Sequence, residues 1–110
     1  MPHVIIEHDK EIKDKIDLSE LTSLLHESVA SQESVKLEFL KSRTVESENV
    51  IIGDSTSNLF LHVDLRLLSG RSKELKEKMA QDIYAILKEK TSHLACSLTV
   101  DVSELGVYIK

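Results

Sequence analysis

The sequence predicts an α+β fold in which tandem β-α-β units form a four-stranded sheet with two helices on one face. Three observations carry this expectation. Alternating apolar residues mark strands, most clearly Leu59, Leu61, Val63, Leu65 and Leu67 set against Phe60, His62, Asp64 and Arg66. One stretch in each half places apolar residues at helical spacing. Strand, helix and strand then follow in the same order twice, the arrangement of a right-handed parallel crossover. The 110 residues suit a single domain over 1–110, with pseudo-repeats of roughly 2–50 and 58–105 that share a pattern rather than residues.

Taken in order, His3-Val4-Ile5-Ile6-Glu7 directly after Pro2 is short and β-branched, as a buried strand requires. Residues 9–17 are mostly charged and read as a connection. Leu18, Leu21, Leu24, Leu25 and Val29 form one helical stripe, and Asp17 followed by Glu20 matches a capping box. The second strand is expected over roughly 36–46, with Phe39, Lys41, Arg43 and Val45 on one face. Glu46 to Asn58 reads as a turn region around Gly53-Asp54-Ser55, with Val50-Ile51-Ile52 as a candidate edge strand. After the third strand, Ser69-Gly70-Arg71-Ser72 turns the chain, and Ser72 is the expected N-cap of the second helix. That helix carries the stripe Leu75, Met79, Ile83, Ile86 and Leu87. Cys96, Leu98, Val100 and Val102 alternate through a fourth strand, and Val107-Tyr108-Ile109 is a candidate for a short terminal one.

Composition narrows the function. Hydrophobic residues at 41% supply a core and charged residues at 30% a well-solvated surface. A net charge of -5 argues against a nucleic-acid surface, which needs a concentrated cationic face. No apolar run approaches the length of a membrane span and residues 1–20 lack a secretory segment, so a soluble, cytoplasmic protein with no membrane partner is expected. The single cysteine, Cys96, excludes an internal disulfide and alternates with Leu98 on a core face, which reads as packing. His3, His8, His26, His62 and His93 show no metal-ligand spacing, so no metal is expected. No P-loop, nucleophile elbow or dinucleotide fingerprint is present.

Three places could carry chemistry. Pro2 follows an initiator Met1 of the kind that is trimmed before a small residue, which would leave a free secondary amine at the start of a strand. An α-amino group titrates near ~8, and burial or nearby cations lower that further, so it can act as a base near neutrality. The alternative is a chain that begins Met-Pro without using the amine. Arg71, after Gly70 and before a helix N-terminus, suits a substrate carboxylate that it can grip with two parallel hydrogen bonds, or is an ordinary solvated arginine. Lys41 and Arg43 point to the same side of a strand, either as an anion pocket flanked by Phe39 and Val45 or as an exposed strand face at an edge or subunit contact.

Together these features resemble the tautomerase superfamily, and within it the 5-carboxymethyl-2-hydroxymuconate isomerases. The resemblance rests on Met1-Pro2-His3-Val4-Ile5-Ile6-Glu7 at the start, Leu40-Lys41-Ser42-Arg43 in the second strand, and Leu67-Leu68-Ser69-Gly70-Arg71-Ser72 at the second strand-to-helix turn. It implies a fold of the tautomerase and macrophage-migration-inhibitory-factor type, assembled as a homotrimer. It also implies keto–enol proton transfer on a small carboxylated dienol, with no cofactor, in aromatic catabolism. Pro2 would be the general base and acid, Arg71 would hold a carboxylate, and Arg43 with Lys41 would bind or polarise the carbonyl end. Lys41 stands where this family commonly has arginine, which trades a bidentate grip for a point charge. The segment after Glu104-Leu105 is shorter than in the family, and Val45 to Ser57 is dissimilar to it. Two other readings stand beside this one: a tautomerase for a different enol, such as a phenylpyruvate-like one, and an inactive trimeric interaction protein with the same fold.

Overall fold

The computed structural model describes residues 2–54 and 56–110. Met1 and Ser55 lie outside them, and with them the expected trimming of Met1 and part of the Gly53-Asp54-Ser55 turn. The chain runs β1 (His3–Asp9), α1 (Leu18–Ala30), β2 (Lys41–Ser47), β3 (Phe60–Leu67), α2 (Lys73–Lys90) and β4 (Ser97–Glu104), with short 3-10 turns at Glu11–Asp14 and Leu37–Phe39. The four strands form one sheet in the order β2-β1-β3-β4. β1 pairs parallel with β2 and β3 parallel with β4, while β1 and β3 meet antiparallel at the centre. Each parallel pair is therefore joined through one helix, as the alternation of strand and helix patterns requires.

The period of two decides what each face does. Val4 and Ile6 of β1 and Leu61, Val63, Leu65 and Leu67 of β3 are fully buried on the helix side. They meet Leu21, Leu25 and Val29 of α1 and Met79, Ile83 and Leu87 of α2, which recur every four residues along one stripe of each helix. Full burial of each such side chain contributes about 1.5–3 kcal/mol, so this layer holds the fold. The other face carries His3, Ile5 and Glu7 of β1 beside Lys41, Arg43 and Val45 of β2, and Phe60, His62, Asp64 and Arg66 of β3 beside Ser97, Thr99, Asp101 and Ser103 of β4. It is a polar, uncovered face.

The helix caps follow the sequence with one change. The Asp17 side chain accepts from the Glu20 backbone N–H at 3.0 Å, and Ser72 accepts from the Leu75 N–H at 3.1 Å. Glu20 does not complete the box; its carboxylate pairs with Lys90 Nζ at 2.5 Å and so ties the two helices together. The buried Asp9 ends β1 by accepting from the backbone N–H of Ile12 (2.9 Å) and of Phe60 (2.8 Å), which fixes the first connection against the start of β3.

Three expected strands differ. β2 starts at Lys41 rather than near residue 36, because Lys36 to Leu40 fold into a 3-10 turn closed by N–H to carbonyl bonds from Phe39 to Lys36 and from Leu40 to Leu37. Phe39 therefore does not share a face with Lys41 and Arg43. Val50-Ile51-Ile52 forms no strand, and Ile51 is 85% exposed. Val107-Tyr108-Ile109 likewise stays irregular; its alternation was too short to recruit a partner strand in the chain. Among the described residues no helix is long and apolar enough to cross a membrane.

Candidate active site

The topology gathers four connections at one end of the sheet. Pro2, immediately ahead of β1, lies there. Because β3 is antiparallel to β1, with His3 opposite Arg66, β3 ends there and delivers Leu68 and Arg71. Because β2 is parallel to β1, the turn that precedes it brings Ser34, Lys36 and Phe39 to the same place. β4 runs parallel to β3 and ends alongside it, so the tail beyond Leu105 returns too. The result is a cavity of about 220 Å³ lined by Pro2, Ser34, Lys36, Phe39, Leu68, Arg71 and Lys110. Sites for drug-sized ligands run from about 300 Å³ upward, so this one has room only for something smaller.

Pro2 is buried, and its carbonyl accepts from the Lys41 N–H at 3.1 Å, which extends the β1–β2 pairing by one residue and fixes the proline in place. Gly70 has φ +115, a backbone state that side-chain-bearing residues rarely adopt, and it turns the chain sharply before Arg71. Arg71 is then held by three of its own donors: Nε to Ser34 Oγ (3.1 Å), Nη2 to the Ser34 carbonyl (3.0 Å) and Nη1 to the Leu68 carbonyl (3.3 Å). A guanidinium has five N–H groups, so one on each terminal nitrogen is left for a ligand. The orientation is thus set by the protein alone. Arg71, Lys36 and Lys110 give the cavity three cationic side chains, and its lining includes no Asp or Glu. That field favours an anion.

Lys41 and Arg43 are not in this cavity. Strand alternation puts them on the open face, around His3 rather than Pro2. Arg43 Nη1 donates to His3 Nδ1 at 3.1 Å, which leaves His3 Nε2–H to donate to Tyr108 Oη at 2.8 Å. Burial, and then Arg43, Lys41 and Arg66, hold the His3 imidazole below its ordinary pKa of 6.5. Cys96 sits against the core, and burial followed by the Asp9 charge pushes its thiol up to about 11, so it stays protonated and inert. Among the described residues no group of three His, Cys, Asp or Glu side chains could hold a metal ion.

Larger hollows elsewhere lack this chemistry: besides one of about 390 Å³ lined by Gln32, Glu33, Ser34 and Leu75, with a carboxylate and no cation, there are two more. One of about 460 Å³, at the opposite end of the sheet, sets Lys10 against Asp9, Glu11 and Glu48, the wrong balance for an anion. The other, about 520 Å³ along α2 and β4, is mostly apolar and open. Sequence reasoning found Pro2 and Arg71 but missed Lys36, Leu68, Ser34 and Lys110 as lining residues, and it placed Phe39 with the wrong neighbours. Only the Lys36–Phe39 turn had a usable signal, since its lysine and phenylalanine sit just before the strand that pairs with the first one.

A family model for 5-carboxymethyl-2-hydroxymuconate isomerase matches residues 2–107. The fold is shared with a 5-carboxymethyl-2-hydroxymuconate isomerase from Deinococcus radiodurans R1, 20% identical with a TM-score of 0.87, covering 99% of this chain and 88% of that one. A 5-carboxymethyl-2-hydroxymuconate delta-isomerase is 15% identical with a TM-score of 0.89, covering 100% of this chain and 87% of that one. A fused 4-OT described as a symmetric trimer is 14% identical with a TM-score of 0.67, covering 96% of this chain and 90% of that one. No curated protein matches the chain. The chain belongs to the 5-carboxymethyl-2-hydroxymuconate isomerase family of the tautomerase superfamily, and it is an isomerase.

Proposed function

We propose that the protein moves a proton within a small unsaturated 2-hydroxy or 2-oxo carboxylate, similar to 5-carboxymethyl-2-hydroxymuconate, with Pro2 as the base once Met1 is gone. The observation that carries this reading is a buried Pro2 and a pre-oriented Arg71 in one cavity with three cationic side chains and no Asp or Glu in its wall. The amine accepts the 2-hydroxyl proton as the C=O bond forms and the diene electrons shift along the chain. The resulting ammonium returns the same proton to a distant carbon. Nothing is oxidised, nothing leaves, and no cofactor is required. Arg71 holds a substrate carboxylate through its two remaining N–H groups.

The protein works as a homotrimer in this reading. β2 and β4 are open sheet edges, and Ile51, Val107 and Ile109 are apolar and exposed, so association covers what one small chain cannot. Arg43, with Lys41 beside it, then serves the cavity of a neighbouring copy, since its own cavity lies on the other side of its strand. The reaction belongs to cytoplasmic catabolism of aromatic compounds. Pro2→Ala leaves a primary amine at the same strand start, so turnover falls sharply without vanishing. In the wild-type protein kcat/KM rises with pH along one limb, centred below the ~8 of an ordinary α-amino group. Unchanged turnover in Pro2→Ala contradicts the reading.

A further inference from the structure

The tail beyond Leu105 ends against the cavity although it forms no strand. Two contacts hold it there. Tyr108 accepts a 2.8 Å hydrogen bond from His3 Nε2, with the rings edge-on at 5.6 Å between centroids. Two residues further on, Lys110 Nζ lies 4.2 Å from the centre of the Phe39 ring, and both residues line the cavity with Pro2. The His3 tautomer that makes the first contact is set by Arg43 on its other nitrogen. Among the described residues no Asp or Glu side chain pairs with Lys110, although the chain carries 19 acidic residues against 14 basic ones. An ammonium over an aromatic face keeps N–H groups free on its far side. Arg71 is anchored on Ser34 and Leu68, and Lys110 on Phe39, so the two cations approach the cavity from separate supports.

We propose that Lys110 is a specificity residue: held at the cavity by the His3–Tyr108 bond, it selects a substrate with a second carboxylate remote from the one on Arg71. His3 and Tyr108 are positioning residues in this scheme and touch no substrate. The proposal rests on the proton-transfer reading above and adds to it which acid is preferred and which residue chooses.

The test compares 2-hydroxymuconate, with a carboxylate at each end, and 2-hydroxypentadienoate, with one. The readout is the ratio of kcat/KM for the two. Lys110→Ala lowers that ratio about tenfold, the effect of one lost ionic contact, with the loss in KM for the diacid. Lys110→Arg restores most of it. Tyr108→Phe keeps the ring and removes the hydroxyl, and it lowers the ratio about threefold, again through KM rather than kcat. Lys73→Ala, on the exposed start of α2 outside the cavity, leaves the ratio unchanged. A ratio indifferent to Lys110→Ala, or equal losses on both acids, overturns the proposal while the proton-transfer reading stands. Failure of the wild-type protein to turn over either acid overturns that reading, and the proposal with it.

Discussion

Two cationic clusters sit at the same end of the sheet, one on each face, and they are built differently. On the helix side Arg71, Lys36 and Lys110 surround Pro2 with no Asp or Glu in the wall. On the open side Lys41, Arg43 and Arg66 surround His3, with Arg66 Nε 3.9 Å from Asp64 Oδ2. Pro2 and His3 are neighbours in sequence, yet the pleat sends them to opposite faces. The difference teaches that strand alternation, not proximity in sequence, sorts the cations. One cluster has a candidate base inside it. The other has an imidazole that it keeps neutral.

The largest expected effect compares the two faces as structure. Leu65→Ala, under the helices, costs about 2–5 kcal/mol of stability, whereas Ser97→Ala on the open face stays within about 0.5 kcal/mol. Urea melts of the two variants measure both. Equal costs would mean that the helix-covered layer is not where the fold is held.

Within the site, Arg71→Ala removes a bidentate anchor worth about 1.5–3 kcal/mol and raises KM for a carboxylated substrate accordingly. Its internal bonds to Ser34 and Leu68 are partly exposed, so thermal stability falls by only about 1 kcal/mol. Arg43→Ala sharpens the comparison, because in the proposed trimer its cluster would serve a neighbour's cavity. Arg71→Ala and Arg43→Ala chains, each impaired alone, recover turnover when refolded together. No recovery would show that the two arginines do not share a site across copies.

The smallest effect is on the open side. The folded His3 pKa lies below the unfolded 6.5 because of burial and its three cations. The unfolded chain therefore binds the proton more readily, so this contribution to stability is complete above 6.5 and is lost as pH falls from there toward the folded pKa. Proton NMR of His3 shows the low value, and Arg43→Ala moves it back up. An unmoved titration would mean that the cluster does not act on the imidazole.

Much of the fold was legible in the sequence because its signals are periodic and long. β3 alternates without a break, and both helices show a stripe and a capping residue that the structure uses. What was not legible depends on pairing rather than pattern. Lys36 to Leu40 looked extended until it closed as a 3-10 turn, which took Phe39 off the strand face and put it beside Pro2. Val50-Ile51-Ile52 and Val107-Tyr108-Ile109 have strand composition but no partner within the chain. For the site, Pro2 and Arg71 stood out because each has unusual local chemistry. Lys110 and Lys36 are ordinary lysines in sequence, and only the convergence of four connections gives them a shared cavity.

The proposed base is a free secondary amine at Pro2. It is tested most directly by measuring the intact mass and the turnover of the same samples, with Met1 removed, with Met1 retained, and with one extra residue ahead of Pro2. Acylation turns the amine into an amide nitrogen that cannot accept a proton. Turnover is expected to track the fraction of protein whose mass lacks Met1 and to be abolished in the extended form, while all three melt at similar temperatures. Full turnover in protein shown by mass to retain Met1 would contradict it.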